Sequence, residues 1–228
     1  MVVVSACGDS QAVGEKGALR FQFGLFGCNF KDAGGASLAT GGRTVLAVRD
    51  DATKMTTTMT VRSESPSALS LSSDGGVPLA VAEFGLTCSL NKEGVCTHSQ
   101  GGVALSPVAD GKARLVFERS GTLVDALTIT SATPKSLMLR EYGSKATTSL
   151  STSGAKALTL EAVLKDGSGN ELVATEYFDY AATGQVVINA DTHQSGIIVY
   201  PADGGTGSAE VTARFGTLEA KMALTVKP

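Results

Sequence analysis

Apolar residues in this chain alternate with polar ones over short runs and do not recur at helical spacing. Leu19-Arg20-Phe21-Gln22-Phe23, Thr44-Val45-Leu46-Ala47-Val48, Thr57-Thr58-Met59-Thr60-Val61, Ala113-Arg114-Leu115-Val116-Phe117 and Leu127-Thr128-Ile129-Thr130 each read as an extended strand with one apolar face. Such runs return about every 8 to 15 residues, the interval expected of a sandwich of short strands. Turn signals separate them: Asp74-Gly75-Gly76, Asp110-Gly111, Asp166-Gly167-Ser168-Gly169-Asn170 and Asp203-Gly204-Gly205. No stretch holds apolar residues at i, i+3, i+4 and i+7 over three turns without a glycine or a β-branched cluster, so very little helix is expected.

The pattern also repeats. Arg119-Ser120-Gly121-Thr122-Leu123 recurs as Arg214-Phe215-Gly216-Thr217-Leu218, 95 positions later (214 − 119). Upstream, Pro107 with Ala109-Asp110-Gly111 parallels Pro201 with Ala202-Asp203-Gly204. Each block reads as strand, turn, strand, tight glycine turn and final strand. A period of that size suits one immunoglobulin-like sandwich. Pro134 in Ser131-Ala132-Thr133-Pro134-Lys135 cannot continue a ladder and marks the join. The chain is therefore expected to be all-β, with two tandem immunoglobulin-like β-sandwich domains over 18–133 and 134–228. Expected core positions are Val45, Val61, Leu115, Phe117 and Ile129 in the first, and Leu158, Leu160, Val163, Val211 and Leu224 in the second.

The two copies differ in length. From Asp50 to Arg119 is 69 positions (119 − 50), and from Asp166 to Arg214 is 48 (214 − 166). About 21 extra residues therefore sit in the first copy, and a cysteine hairpin near 77–100 falls within that interval. Insertions on rigid sandwiches are where specificity is often placed; a stapled hairpin covering a sheet edge is the alternative.

Composition narrows the classes of role. Among 228 residues, 43% are hydrophobic and 18% charged, enough apolar content for a core. A net charge of −3 gives no electrostatic reason to expect nucleic acid or an anionic membrane surface as partner. No run of about 18 apolar residues occurs, so no helix would be long and apolar enough to cross a bilayer.

Both copies resemble the bacterial Ig-like domains of invasin- and intimin-type surface proteins. Ala162-Val163-Leu164-Lys165-Asp166-Gly167-Ser168-Gly169-Asn170 matches the family's strand-to-turn pattern, and Arg62-Ser63-Glu64-Ser65-Pro66-Ser67-Ala68-Leu69 matches a segment common in another branch. The resemblance covers about 18–228 and implies the fold, with function only by association. At the other end, Val4-Ser5-Ala6-Cys7 resembles the lipobox of bacterial lipoproteins. That likeness implies a diacylglycerol thioether on Cys7 and a cell-envelope location, lipid-anchored in the outer membrane with a periplasmic or surface face. Residues 1–7 are too short to be a leader by themselves but fit the end of one. Gly8–Gly17 would then be a flexible tether. An ordinary buried cysteine after a β-prone start is the other reading of Cys7.

Of the remaining cysteines, Cys88 and Cys96 flank Ser89-Leu90-Asn91-Lys92-Glu93-Gly94-Val95, in which Asn91–Gly94 looks like a hairpin tip. Near-facing strand positions can supply the Cα separation of about 4.4–6.8 Å that a disulfide needs. Cys28 with either of them is the competing pair. A zinc site is disfavoured, because the spacing is not CxxC and His98 alone supplies too few ligands. No metal and no cofactor are expected.

No residue pattern marks a catalytic arrangement. The two histidines, His98 and His193, sit beside Ser, Thr or Gln in expected loops, without a G-x-S-x-G elbow. Asp50-Asp51 suits turn chemistry, and Glu161 with Glu171 has no spacing that marks a cleft pair. Asp166-x-Ser168-x-Asn170 lacks the Gly at position six and the Glu at position twelve of a calcium loop. Gly204-Gly205-Thr206-Gly207 precedes no helix that could cradle phosphate.

The expected role is therefore that of a non-enzymatic envelope lipoprotein: a structural spacer with an adhesive or protein-interaction surface. Leu90, Asn91, Lys92, Glu93 and His98 form the candidate contact loop. The alternative is a glycan- or polysaccharide-binding surface module. In the absence of Trp, its stacking platform would be Tyr177, Tyr180 or Tyr200; the alternation of Tyr177/Asp179 against Phe178/Tyr180 lets at most two face outward together, and core packing is the favoured use of these rings.

Overall fold

The computed structural model describes residues 11–24, 30–72, 77–142, 149–153, 157–189, 194–203 and 205–227. Cys7, Cys28, His193, Asp74-Gly75-Gly76 and Gly204 lie outside them. The described elements are all β, and the chain divides into two compact units, Met1–Thr133 and Pro134–Pro228.

Unit 1 contains β1 (Ala12–Val13), β2 (Leu19–Gly24), β3 (Phe30–Asp32), β4 (Ser37–Ala39), β5 (Thr44–Asp50), β6 (Thr57–Ser63), β7 (Leu69–Ser72), β8 (Pro78–Leu79), β9 (Val81–Leu90), β10 (Cys96–Pro107), β11 (Gly111–Arg119) and β12 (Thr122–Ala132). In one sheet β2 pairs with β5, β5 with β10, and β10 with β7. In the other, β4 runs parallel to β12, followed in order by β11, β6 and the first half of β9. The second half of β9 crosses over and pairs with β10. One long strand thus closes an edge of both sheets.

Unit 2 contains β13 (Ser136–Glu141), β14 (Ser149–Ser153), β15 (Leu158–Lys165), β16 (Glu171–Val173), β17 (Asp179–Gly184), β18 (Val186–Ile188), β19 (Gly196–Pro201), β20 (Gly207–Phe215) and β21 (Leu218–Lys227). One sheet has the order β13-β15-β19-β18. The other has the order β14-β21-β20-β17, with β14 parallel to β21. Two facing antiparallel sheets, with a first strand divided between them and added parallel to the last, have the connectivity of an immunoglobulin-type sandwich.

The sequence repeat falls on the last hairpin of each unit. In unit 1, Ser120 and Gly121 connect β11 to β12 with φ of 49° and 75°, the two positive values of a type I′ turn. In unit 2, Gly216 at φ 56° opens the two-residue turn from β20 to β21, where the first position of a type II′ turn needs glycine. Pro107 ends β10 and Pro201 ends β19, the strands that precede these hairpins.

Phe21, Phe117 and Phe84 cluster in the core of unit 1, with ring centroids 4.9 Å apart for Phe21–Phe117 and 6.3 Å for Phe84–Phe117. Met59, Val61, Leu115, Leu127 and Ile129 are buried around them. Val45 departs from expectation. β5 carries apolar residues on both faces, and Thr44, Leu46, Val48 and Asp50 point inward, leaving Val45 half-buried on the opposite face. In unit 2, Phe178 packs 5.1 Å from Phe215, and Leu158, Leu160, Val163, Val211, Met222 and Leu224 are buried.

The expected tether needs a correction over 11–17. β1 pairs with β2, and the Glu15 amide donates to the Ala126 carbonyl at 2.8 Å. The wholly buried Asp125 side chain accepts backbone N–H groups from Lys16, Ala18, Leu19 and Ala126, all at 2.8 Å. A Cβ on Gly14 would meet that carboxylate, so only glycine lets the segment lie this close. The Glu15 carboxylate grips the Arg114 guanidinium at 2.8–3.0 Å, which holds the acid below its ordinary range. These contacts make Gln11–Gly17 part of the folded unit.

Candidate interaction hairpin

β9 and β10 form the long hairpin that the extra length of unit 1 builds. Gly101 permits its close approach, since a Cβ there would run into the Gly85 carbonyl. Ser99, fully buried, holds the base of the hairpin to the chain that follows β5: its hydroxyl lies 2.7 Å from the Thr53 carbonyl and 2.6 Å from that of Met55.

Cys88, which faces Ser99 in the ladder, is joined to Cys96 by a disulfide with Cα atoms 5.7 Å apart. Asn91 organises the tip. Its side-chain oxygen accepts the amides of Glu93 at 3.0 Å and Val95 at 2.9 Å, and its own amide donates to the Val95 carbonyl at 2.9 Å. Gly94 turns the chain at φ 77°. The resulting loop is fixed at both its covalent base and its turn, and it presents Leu90 at 63% exposure and Val95 at 58%, with Lys92 and Glu93 beside them.

The structure therefore brings Leu90, Asn91, Lys92 and Glu93 together on one tip. Val95, which spacing did not single out, belongs with them. His98 faces Ser89, on the rung between those of the two cysteines, and is half-buried, with Nδ1 3.0 Å from Thr97 Oγ1 and Nε2 3.4 Å from Gln100 Oε1. Ser99, its sequence neighbour, spends its only hydroxyl proton on the Thr53 and Met55 carbonyls, so the two do not make a base and nucleophile.

The tyrosine platform is not assembled. Tyr180 turns inward on β17, its ring stacked 6.4 Å from Phe178 and its hydroxyl buried. Burial, and then the nearby Glu161 carboxylate, push its phenol well above the ordinary range. Register explains this: Tyr180 faces Ala213 of β20 as Val61 faces Phe117 of β11, a core position in both units. Tyr180 is therefore withdrawn as a stacking surface. Tyr177, at φ 75°, is 49% exposed just before β17, whereas Tyr200, 40% exposed, stands on β19 of the other sheet opposite Val187.

Three acid sites have structural partners. Asp50 is buried, which opposes its ionisation. The Arg119 guanidinium at 2.6 Å and the amides of Thr53 and Ala52, both at 2.9 Å, outweigh that and hold it below the usual carboxylate range. Glu161 and Glu171 flank Arg140 at 3.0 and 2.7 Å. Asp166 accepts the Asn170 side chain and the amides of Asn170 and Ser168, which lowers its pKa and makes this stretch a self-capped turn. Among the described residues, no group of three or more His, Cys, Asp or Glu converges as a metal site.

No known sequence family and no curated protein matches the chain. Among solved structures, domains 5–6 of the S-layer protein SbsC are similar at 15% identity and a TM-score of 0.36, over 86% of this chain and 96% of that one. A glycosyl hydrolase family 2 member from Bacteroides cellulosilyticus is similar at 16% identity and a TM-score of 0.35, over 97% of this chain and 29% of that one. The Escherichia coli adhesin FdeC is similar at 14% identity and a TM-score of 0.30, over 85% and 62%. Likeness of this degree assigns neither family nor function.

Proposed function

We propose that the chain is a non-enzymatic envelope module: a β-sandwich spacer, lipid-anchored through Cys7, that holds a protein-contact tip away from the membrane. The observation that carries this reading is the tip itself. Exposed apolar side chains cost nothing when scattered, but Leu90 and Val95 flank one turn that a disulfide and an Asx-type hydrogen-bond set hold in a single shape. A preformed apolar contact loses little conformational entropy on binding. A disulfide between strands also suits an oxidising compartment such as the bacterial envelope.

The experiment uses the full-length protein in cells, with a photo-crosslinking amino acid at Leu90 and a control probe at Lys112 on β11. A discrete envelope-protein adduct from position 90 that position 112 does not give, and that Val95→Asp abolishes, is the expected result. Equal labelling from both positions would overturn the contact role. Anchoring is read separately: Cys7→Ser should move the protein from the membrane fraction to the soluble envelope fraction, and its retention in the membrane would overturn the lipid anchor.

A further inference from the structure

The two units treat one sheet edge differently. In unit 1, β6 pairs with β11 on one side, and its outer side is filled by β9, antiparallel, with Thr57–Arg62 against Leu86–Val81. In unit 2, β17 holds the matching place beside β20, paired from Asp179 to Gly184. Among the described residues it has no ladder partner on its other side.

Unpaired edges are normally guarded by Lys, Pro, a bulge or inward charge. Tyr180-Ala181-Ala182-Thr183-Gly184 carries no charge and no proline, and its register with β20 is unbroken. Ala181, Thr183 and Gly184 are exposed and small, so another backbone can approach. β13, by contrast, includes the charged residues Arg140 and Glu141.

We propose that this edge is a self-association site, at which β17 pairs antiparallel with β17 of a second copy of the chain. The strand is self-complementary about a twofold axis, as an isologous contact requires. Centred on Ala182, the pairing sets Ala181 opposite Thr183, small against small, and Tyr180 opposite Gly184, whose φ of 80° ends the extended stretch. It keeps the exposed faces of both sheets on one side. Asp179 falls outside the paired stretch at each end, so the two carboxylates sit far apart, whereas a parallel pairing would set them side by side. Unit 1 supplies the template, since an antiparallel strand is what covers the equivalent edge there.

The test is sedimentation velocity on the full chain without lipid, free thiols alkylated, from low micromolar to millimolar concentration. The wild type is expected to pass from monomer to dimer. Ala181→Lys with Thr183→Lys places lysines opposite lysines across the axis and should weaken the dimer at least about tenfold. Both substitutions lie on the exposed face, so thermal unfolding should be unchanged. The Glu pair, Ala181→Glu with Thr183→Glu, should weaken it likewise, and an equimolar mixture of the Lys and Glu proteins should re-associate. A wild type that stays monomeric, a dimer equally tight in the Lys protein, or a mixture that fails to re-associate each overturns the proposal. A monomer that instead binds a synthetic Val81–Leu90 peptide at this edge assigns the edge to a foreign strand, and so also overturns it.

Discussion

Unit 1 and unit 2 share their last three strands almost position for position, yet close their peripheries by opposite means. The shared part, β10–β11–β12 against β19–β20–β21, is carried by alternation and a two-residue turn. The peripheries rest on single polar residues. Unit 1 has Asp125 where the repeat places Ala220 in unit 2, and the carboxylate clamps the incoming chain onto β12. Unit 1 also has β9 over the edge that β17 leaves bare. A common final hairpin thus tolerates different margins, and in unit 1 the margin strand β9 adds Phe84 and Leu86 to the core.

The sharpest break in the comparison is Asp125→Ala. It leaves four N–H donors without their acceptor, those of Leu19 and Ala126 in buried positions, and should cost unit 1 about 3–5 kcal/mol. Ala220→Ser in unit 2 should stay within about 0.5 kcal/mol. Hydrogen exchange resolved by peptide is the measurement: protection of β1, β2 and β12 should collapse in the first variant while β20 and β21 keep theirs. Equal losses in both units would mean that they unfold as one cooperative body.

Next in size is the disulfide. A bridge closing a loop with a sequence separation of 8 contributes about 2–3 kcal/mol in the chain-entropy treatment. Cys88→Ser with Cys96→Ser should lower the urea midpoint of unit 1 alone and speed exchange at Asn91–Val95. An unchanged midpoint would show that the Asn91 turn and Ser99 suffice to hold the hairpin.

Much of this was legible in the sequence, and the parts that were not share a cause. Strands, the Pro134 boundary between compact units and the glycine turns follow from local pattern, which needs only near neighbours. Val45 was misplaced because β5 is apolar on both faces, so alternation could not choose the buried one. Tyr180 read as a possible surface ring because a phenol suits either side; only its register opposite Ala213 settles it. Gln11–Gly17 read as a tether because the residue that orders it, Asp125, is more than a hundred positions away. Val95 was missed at the tip because a lone valine in a polar loop carries no spacing signal.

Asp50 ends β5 and Asp166 follows β15, and the two sharpen the comparison at smaller scale. Asp50→Asn keeps a cap for Ala52 and Thr53 but loses the ion pair to Arg119, whose side chain is 31% exposed; solvent screening there limits the cost to about 1–2 kcal/mol at neutral pH. The sign of the pH effect follows from the lowered pKa. Folding favours the ionised form, so Asp50 contributes in full above the unfolded value of about 3.9 and loses its contribution as pH falls through the folded one. Between pH 5 and acid unfolding, Asp50→Asn should therefore show a shallower loss of unit 1 stability than the wild type, read as the slope of midpoint against pH. Parallel slopes would remove Asp50 from the acid limb.

Asp166 should give the smallest effect of the set. Its pKa is also lowered, first by the Asn170 side chain and then by the Asn170 amide, so the sign is the same as for Asp50. But every partner lies within four residues, in an exposed turn, and no strand of the sandwich is held by it. Asp166→Asn keeps an acceptor for both amides and should change the thermal midpoint of unit 2 by no more than the scatter between replicate scans, at neutral pH and in acid alike. A drop as large as that of Asp50→Asn would mean that this turn fixes the register of β15 with β16 rather than merely closing on itself.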